Sequence, residues 1–395
     1  VRNEVINRLK VVFEKYGFDE IQTPSLEYQE VLLGKYGEEA EKLMYLFEDR
    51  GGRKVGLKYD LTIPLARFAA AYAKLPIPFK RYQIQPVWRA DKPQKGRYRE
   101  IYQCDVDIIG SPSPLADAEI IAVTFNSLNT LGFSSFQIRV NSRQVLFSSM
   151  EKAKVAENLW LSTIQSIDKL DKKPKEEVEY ELVQKGLTNE QVKGVFDTLA
   201  NAKPDEFLQK TINYSLKLGV KTDYLKFEPI LARGLDYYTG PIFETVVEKP
   251  KIGSITGGGR YDKLLSKLGG PDLPAVGTTI GLDRAADVIE ELKLWPNLAK
   301  TSTEVLVTIF NKDLIGMSQV VVANLRENQI KGELFPDENT ALDKELKYAD
   351  KKGIKLVIII GPEEVKTDSV VLKNMQTGKQ EKVKLENLIS KIKKN

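Results

Sequence analysis

The chain has 395 residues, more than one hydrophobic core usually organises, so two to three domains are expected. It is 42% hydrophobic and 29% charged, with a net charge of +4 that is too mild to identify a nucleic-acid binder; with no apolar run of about eighteen residues and no signal-peptide pattern, a folded, soluble, cytoplasmic protein is expected. One cysteine, Cys104, and no histidine exclude disulfide frameworks, cysteine or histidine zinc sites, c-type haem attachment and serine triads with a histidine base.

The first helix is read from Val5, Ile6, Leu9, Val12, Phe13 and Tyr16, which follow the helical apolar template, with Gly17 placed to end it. The chain opens on Val1 rather than Met, which leaves room for residues upstream. Next, KVGLKYDLT reads as a short strand that delivers Asp60 and Thr62 to its end, with Pro64 as a helix-entry residue.

Residues 81–110 are the most informative stretch. Two segments of period two flank a basic turn containing Pro93 and Gly96, the pattern of an antiparallel hairpin with a long loop. Tyr82, Ile84 and Trp88 share one face of the first strand, leaving Gln83, Gln85 and Arg89 on the other. On the second strand Tyr102, Cys104, Val106 and Ile108 oppose Gln103, Asp105 and Asp107. Amides and paired aspartates are poor strand formers, so their density on one face marks a pocket floor rather than an ordinary solvated surface.

Ser113, Pro114, Asp117 and Glu119 supply the N-cap, first-turn proline and early acids of a helix running to Gly132, and the strand FQIRVN follows. From 151 to 225 the pattern is helical and highly charged, including a helix that starts at the Thr188 cap, and it reads as a helical insertion. Strand character returns at 227–256. The run Gly257, Gly258, Gly259 implies close backbone approach at a strand end, and it fits neither a dinucleotide fingerprint nor a P-loop. VGTTIGLDRAADVIEEL then reads as strand into helix with Arg284 in the first turn.

WPNLAKTST, 295–303, reads as a linker. Beyond it strands and helices alternate as a three-strand parallel α/β unit, followed by a hairpin turning near Thr377 and Gly378 and a Lys-rich helix. The expected fold is thus an α+β catalytic domain with an antiparallel sheet (1–150 and 226–296), a helical insertion (151–225) and a C-terminal α/β domain with a mixed sheet (303–395).

Arg89, Arg233 and Arg284 come from three separate segments. Guanidinium groups offer planar paired donors matched to phosphate oxygens, and nucleotidyl transfer depends mainly on positioning and charge stabilisation, so a site of this kind needs no histidine base.

These residues carry a resemblance. WRADKPQKGRYRE resembles the second signature motif of class II aminoacyl-tRNA synthetases, IGLDR the third, and QTPSLE, with Pro24 and Glu27, the weaker first motif of the dimer interface. ARGLDYYTG and GGGRYDKL resemble the two peptides specific to the histidyl-tRNA synthetase family. The similarity runs over essentially the whole chain.

The resemblance implies a ligase that joins histidine to the 3′ end of tRNA(His), with L-histidine, ATP and ATP-bound Mg²⁺ as small-molecule partners. It also implies a homodimer with no membrane association and no resident metal. Arg89 and Arg233 are implied as catalytic at the α-phosphate, Arg89, Arg97 and Arg284 as ATP-binding, and Asp60, Thr62 and Gln103 as holding the histidine amino group. Asp107 and Tyr238 are implied at the two ring nitrogens, with Tyr237 and Tyr261 completing the histidine pocket. Lys92, Lys95, Arg97 and Arg99 are implied at the tRNA acceptor end, and the C-terminal domain at the anticodon. Family members often carry Glu where Asp60 and Asp107 stand. The alternative within this resemblance is a non-catalytic paralogue acting as a regulatory subunit or a sensor of uncharged tRNA.

Overall fold

The computed structural model describes residues 1–33, 41–72, 74–92, 98–233, 237–250, 252–296 and 298–394. The hairpin-loop residues Pro93, Lys95, Gly96 and Arg97 lie outside the described residues, as do Gly234, Leu235 and Asp236. The chain forms two units, Val1–Trp295 and Pro296–Asn395.

In the first unit the alternating segments assemble into an eight-stranded sheet. Its order is Asp19–Glu20, Phe79–Trp88, Glu100–Ile109, Ala275–Gly281, Ser254–Arg260, Pro241–Val247, Phe136–Ser142 and Leu225–Phe227. The inner strands are antiparallel, and only the two edge strands run parallel to their neighbours. The hairpin pairs Arg81 with Asp107, Gln83 with Asp105 and Gln85 with Gln103. Because side chains alternate across a strand, this register puts all six polar groups on one face.

The opposite face is apolar. Tyr82, Ile84, Cys104, Val106, Ile108, Val276 and Ile280 join one buried cluster with Leu9 and Phe13 of the helix Arg2–Lys15, Ile120 and Ile121 of the helix Pro114–Thr130, and Val288 of the helix Leu282–Glu291. Each fully buried side chain of this size contributes about 1.5–3 kcal/mol, so the sheet is anchored from behind and its polar face is left as a rigid floor. Gly17 ends the first helix in the left-handed region, φ 73°. Ser113 caps the helix Pro114–Thr130 by accepting from the Leu115 amide.

The structure departs from the sequence pattern in three places. The strand expected to reach Thr62 stops at Leu57, and Thr62 already begins the helix Thr62–Ala71. Residues 228–233 and 237–240 are loop rather than strand, and in the first segment the side chains of Asn141 and Arg143 bond the Pro229, Leu231 and Arg233 carbonyls. The glycine run lies inside the strand Ser254–Arg260, not at its end.

Residues 160–217 form the helices Trp160–Ile167, Lys175–Gln184, Asn189–Ala200 and Glu206–Lys217, the third opened by a Thr188–Gln191 capping box. The last packs along Pro114–Thr130 and buries Leu208 in the sheet's own core. A small antiparallel sheet, Leu26–Tyr28, Lys54–Leu57 and Leu46–Glu48, completes the unit.

The second unit has a five-stranded mixed sheet. Gly332–Leu334, Val305–Val307 and Leu356–Ile359 are parallel, and the hairpin Ser369–Asn374 with Gln380–Lys384 adds antiparallel strands. Gly378 closes that hairpin with φ 71°.

Asp117 does more than favour a helix dipole. It is fully buried and pairs with Arg260, whose Nη1 also donates to the Ser111 carbonyl at 3.0 Å and whose Nη2 donates to that of Ser113 at 3.3 Å. One guanidinium thereby ties the start of a core helix to the sheet. Removing one partner leaves the other charge buried without compensation. Arg260→Leu is therefore expected to lower unfolding free energy by about 3–5 kcal/mol, measured by urea denaturation.

Candidate active site

A cavity of about 390 Å³ opens on the polar face of the sheet. Arg89, Arg233 and Arg284 all line it, as do Asp60, Thr62, Gln103, Asp107, Tyr237, Tyr238 and Tyr261. Every described residue expected in the site therefore borders one space, and Arg97 alone lies outside the described residues.

Each arginine is held differently. Arg89 leaves the end of the first hairpin strand, donates through Nε to the Tyr59 carbonyl at 3.1 Å and lies 4.4 Å from the centroid of the Tyr59 ring. Arg284 stands in the first turn of Leu282–Glu291 and donates to the Ser254 carbonyl at 2.7 Å. Arg233 rides on the loop before Pro241–Val247. Asn141 donates to the Pro229 and Leu231 carbonyls at 2.8 and 2.9 Å, Arg143 donates to the Arg233 carbonyl at 2.6 Å, and Glu244 accepts from the Arg233 guanidinium at 2.8 Å.

Two glycines are required by space. A Cβ at Gly257 would overlap the Arg233 guanidinium, and one at Gly277 would overlap the Asp107 carboxylate. The glycine run thus serves close approach, as its sequence implied: backbone lies against Gly258 and Gly259, and the Arg233 guanidinium lies against Gly257.

The floor carries the strongest electrostatics. Asp107 is held from two sides: Tyr261 donates to Oδ1, and Arg81, fully buried, lies 2.8 Å from Oδ2. Asp105, 3% exposed, faces Gln83 and Thr279 across the ladder. Burial pushes the Asp105 carboxyl up to about 7 against the pull of Arg81, and burial also raises that of Asp107. Asp60 Oδ1 accepts from the Thr62 and Ile63 amides, both at 3.1 Å, and so caps the helix Thr62–Ala71.

Tyr237, Tyr238 and Tyr261 form the wall. Ring centroids are 4.9 Å apart for the first pair and 6.0 Å apart for Tyr237 and Tyr261. Burial raises all three phenols, so they remain neutral donors across the physiological range. Lys172, from the helical segment, reaches the cavity rim.

The sequence gives no role to Arg81, Asn141, Arg143, Glu244 or Lys172, and it places Asp105 on the pocket floor without a ligand. For Arg81 the signal was present, since it shares the parity of Gln83 and Gln85. For Asn141 and Arg143 none was, because their partners lie about ninety residues away.

Taken together, the cavity has cationic guanidinium groups from three segments and an acidic, phenol-walled floor on an antiparallel sheet. This fold and site define a class II aminoacyl-tRNA synthetase. The family model described as Histidyl-tRNA synthetase matches residues 1–285, and the one described as Anticodon binding domain matches 304–395. The chain belongs to the histidyl-tRNA synthetase family. A histidine–tRNA ligase of Gloeobacter violaceus is 41% identical, with 97% of this chain and 93% of the relative covered, and one of Korarchaeum cryptofilum is 37% identical, with 99% and 94% covered. The crystal structure of histidyl-tRNA synthetase from Nostoc sp. PCC 7120 superposes with a TM-score of 0.85 at 29% identity, covering 100% of this chain and 95% of that one.

The raised Asp105 carboxyl has a consequence for stability. Unfolded, it releases its proton near the ordinary aspartate value of 3.8; folded, it holds it to about 7. The folded state therefore binds more protons between those values, and stability contributed by the protonated form is lost as pH rises through about 7. Asp105→Asn is expected to raise the melting temperature above about pH 7 and to leave it nearly unchanged only at about pH 3, below the unfolded value, read by differential scanning fluorimetry.

Proposed function

We propose that the chain charges tRNA(His) with histidine in two steps. The histidine carboxylate attacks the α-phosphorus of ATP, the bond to the β-phosphate breaks, and pyrophosphate leaves with histidyl-adenylate retained. A hydroxyl of the terminal tRNA ribose then attacks the adenylate carbonyl, and AMP departs. The observation that carries this reading is the convergence of Arg89, Arg233 and Arg284 on the same cavity as the Asp107–Tyr261 pair and Tyr238.

In this reading Arg233 and Arg89 neutralise charge growing on the α-phosphoryl group, and Arg284 grips the γ-phosphate. Mg²⁺ arrives on the phosphate oxygens of ATP as part of the substrate. Asp60, Thr62 and Gln103 receive the amino group. Asp107 and Tyr238 meet the two ring nitrogens while Tyr237 and Tyr261 wall the pocket. An apolar competitor would offer Asp107 and Tyr238 no ring nitrogen to meet, and a site built to hydrogen-bond its substrate rejects an analogue lacking those groups by roughly 10⁴ to 10⁵ when fully buried.

The division of labour follows the sequence: 1–150 and 226–296 as the catalytic domain, 151–225 as the insertion and 303–395 as the anticodon-binding domain. Lys92 and Arg99 flank the loop that would meet the acceptor end, with Lys95 and Arg97 within it. A regulatory paralogue is disfavoured, because the arginine peptide and the second unit are both retained. ATP and tRNA as substrates support work in the cytoplasm. Among the described residues no helix is long and apolar enough to cross a membrane.

A homodimer is supported by the small antiparallel sheet. Leu26, Tyr28, Leu46 and Phe47 are 47%, 49%, 39% and 43% exposed there, a concentration of apolar surface that a second copy would cover. Light scattering should give twice the chain mass, and Leu46→Glu with Phe47→Glu should shift it to the monomer value.

ATP–pyrophosphate exchange assayed with each of the twenty amino acids should proceed with histidine alone. Arg233→Ala should slow it by about 10² to 10³. Exchange with another amino acid, or exchange indifferent to Arg233, would overturn the reading.

A further inference from the structure

Among the described residues the cavity floor contains two buried acceptors without a partner, Gln103 Oε1 and Asp105 Oδ1, and Asp105 is a residue to which the roles above give no task. Both residues line the cavity, and Asp105 is 3% exposed. The Thr279 hydroxyl bonds the Asp105 carboxylate and also accepts from Gln103 Nε2 at 3.4 Å, so this end of the floor is fixed and offers lone pairs rather than donors. Buried acceptors left unmatched are costly, and a bound group rich in N–H donors would satisfy them.

Charge selects among such groups. The charged groups coupled to Asp105 are Arg81 across the hairpin ladder, Lys58 beyond the Lys54–Leu57 strand, and the carboxylates Asp60 and Asp107; the phenols Tyr238 and Tyr261 stand opposite. Lys58 is committed to the Thr23 carbonyl at 3.2 Å and Gln85 Oε1 at 2.8 Å, and Arg81 to Asp107. Neither cation is Asp105's own: Arg81 is paired with Asp107, and Lys58 faces the Glu27 carboxylate ahead of that of Asp105. A neutral ring N–H cannot supply the missing charge, whereas an ammonium brings one positive charge and three donors. Asp60, the acceptor expected from the sequence, already spends Oδ1 on the Thr62 and Ile63 amides.

We propose that Asp105 is a substrate-binding residue that accepts a hydrogen bond directly from the α-ammonium of the amino-acid substrate, beside Gln103. The inference rests on the histidine-activating reading above and extends it to a residue which that reading leaves without a task. Burial that holds the Asp105 carboxyl up to about 7 means that its ionised, ammonium-binding form gains population as pH rises through that value. Histidine binding should strengthen over the same interval.

The test compares three ligands on the full-length wild type and Asp105→Asn: L-histidine as exchange substrate, and L-histidinol and 3-(imidazol-4-yl)propionate as competitive inhibitors. Histidinol keeps the ring and the ammonium, whereas the propionate keeps the ring and the carboxylate and lacks the ammonium. In Asp105→Asn the KM for histidine and the inhibition constant of histidinol should rise about tenfold to a hundredfold. The inhibition constant of the propionate and the KM for ATP should change less than about twofold. Equal losses for all three ligands, or no loss, would overturn the proposal.

Wild-type protein that performs no histidine-dependent exchange would instead refute the histidine-activating reading, so the two failures are told apart. Circular dichroism reports folding of the variant. Should Asp105→Asn not fold, the wild-type ratio of the propionate constant to the histidinol constant decides. Once each constant is corrected for the titration of that ligand's own imidazole and amine, the ratio should increase several-fold from about pH 6 to about pH 8, and a flat corrected ratio would sink the proposal.

Discussion

Arg81 lies fully buried across the hairpin ladder from Asp107, 2.8 Å from its Oδ2, with Asp105 two residues away on the same face. Two carboxylates that close in a dry interior would otherwise carry a desolvation cost of several kcal/mol each and would hold their protons. The guanidinium works against that and makes an acidic floor tolerable. The sheet's polar face can exist because this one cation is built into it, and the apolar face behind it holds the strands at the register that brings the charges together.

The same cavity is lined by arginines from three segments and by aspartates with three phenols. A ligand with anionic phosphates and a cationic, hydrogen-bonding body would match both sets at once. Each set is held by groups that never touch the cavity's contents, such as Glu244 and Arg143 for the Arg233 loop. Positioning of this kind is what an electrostatic mechanism without a histidine base requires, because donors aimed in advance need no reorganisation during reaction.

The glycines show how tightly the two sets are fitted. Gly257 lets the Arg233 guanidinium lie on the sheet, and Gly277 lets the Asp107 carboxylate lie across the neighbouring strand. Both sit where any side chain would occupy the volume of a functional group. Backbone bared in this way lets strands carry charged groups flat against themselves rather than projecting into solvent.

Much of this was legible beforehand. Period-two alternation assigned Gln103, Asp105 and Asp107 to one face, the helical template located the first helix, and the strand-to-helix pattern put Arg284 in a first turn. The segments 228–233 and 237–240 read as strand because their apolar and aromatic residues imitate one, and nothing local reveals that Asn141 and Arg143 take the Leu231 and Arg233 carbonyls. Asp117 looked like a helix-start acid until the fold brought Arg260 to it from more than a hundred residues away. By itself the sequence determined which residues share a strand face or a helix turn, since those relations follow from the pitch of a local backbone. Only the tertiary structure decided which charges meet and which acceptors remain unpaired, because burial and pairing depend on segments joined by packing rather than by proximity along the chain.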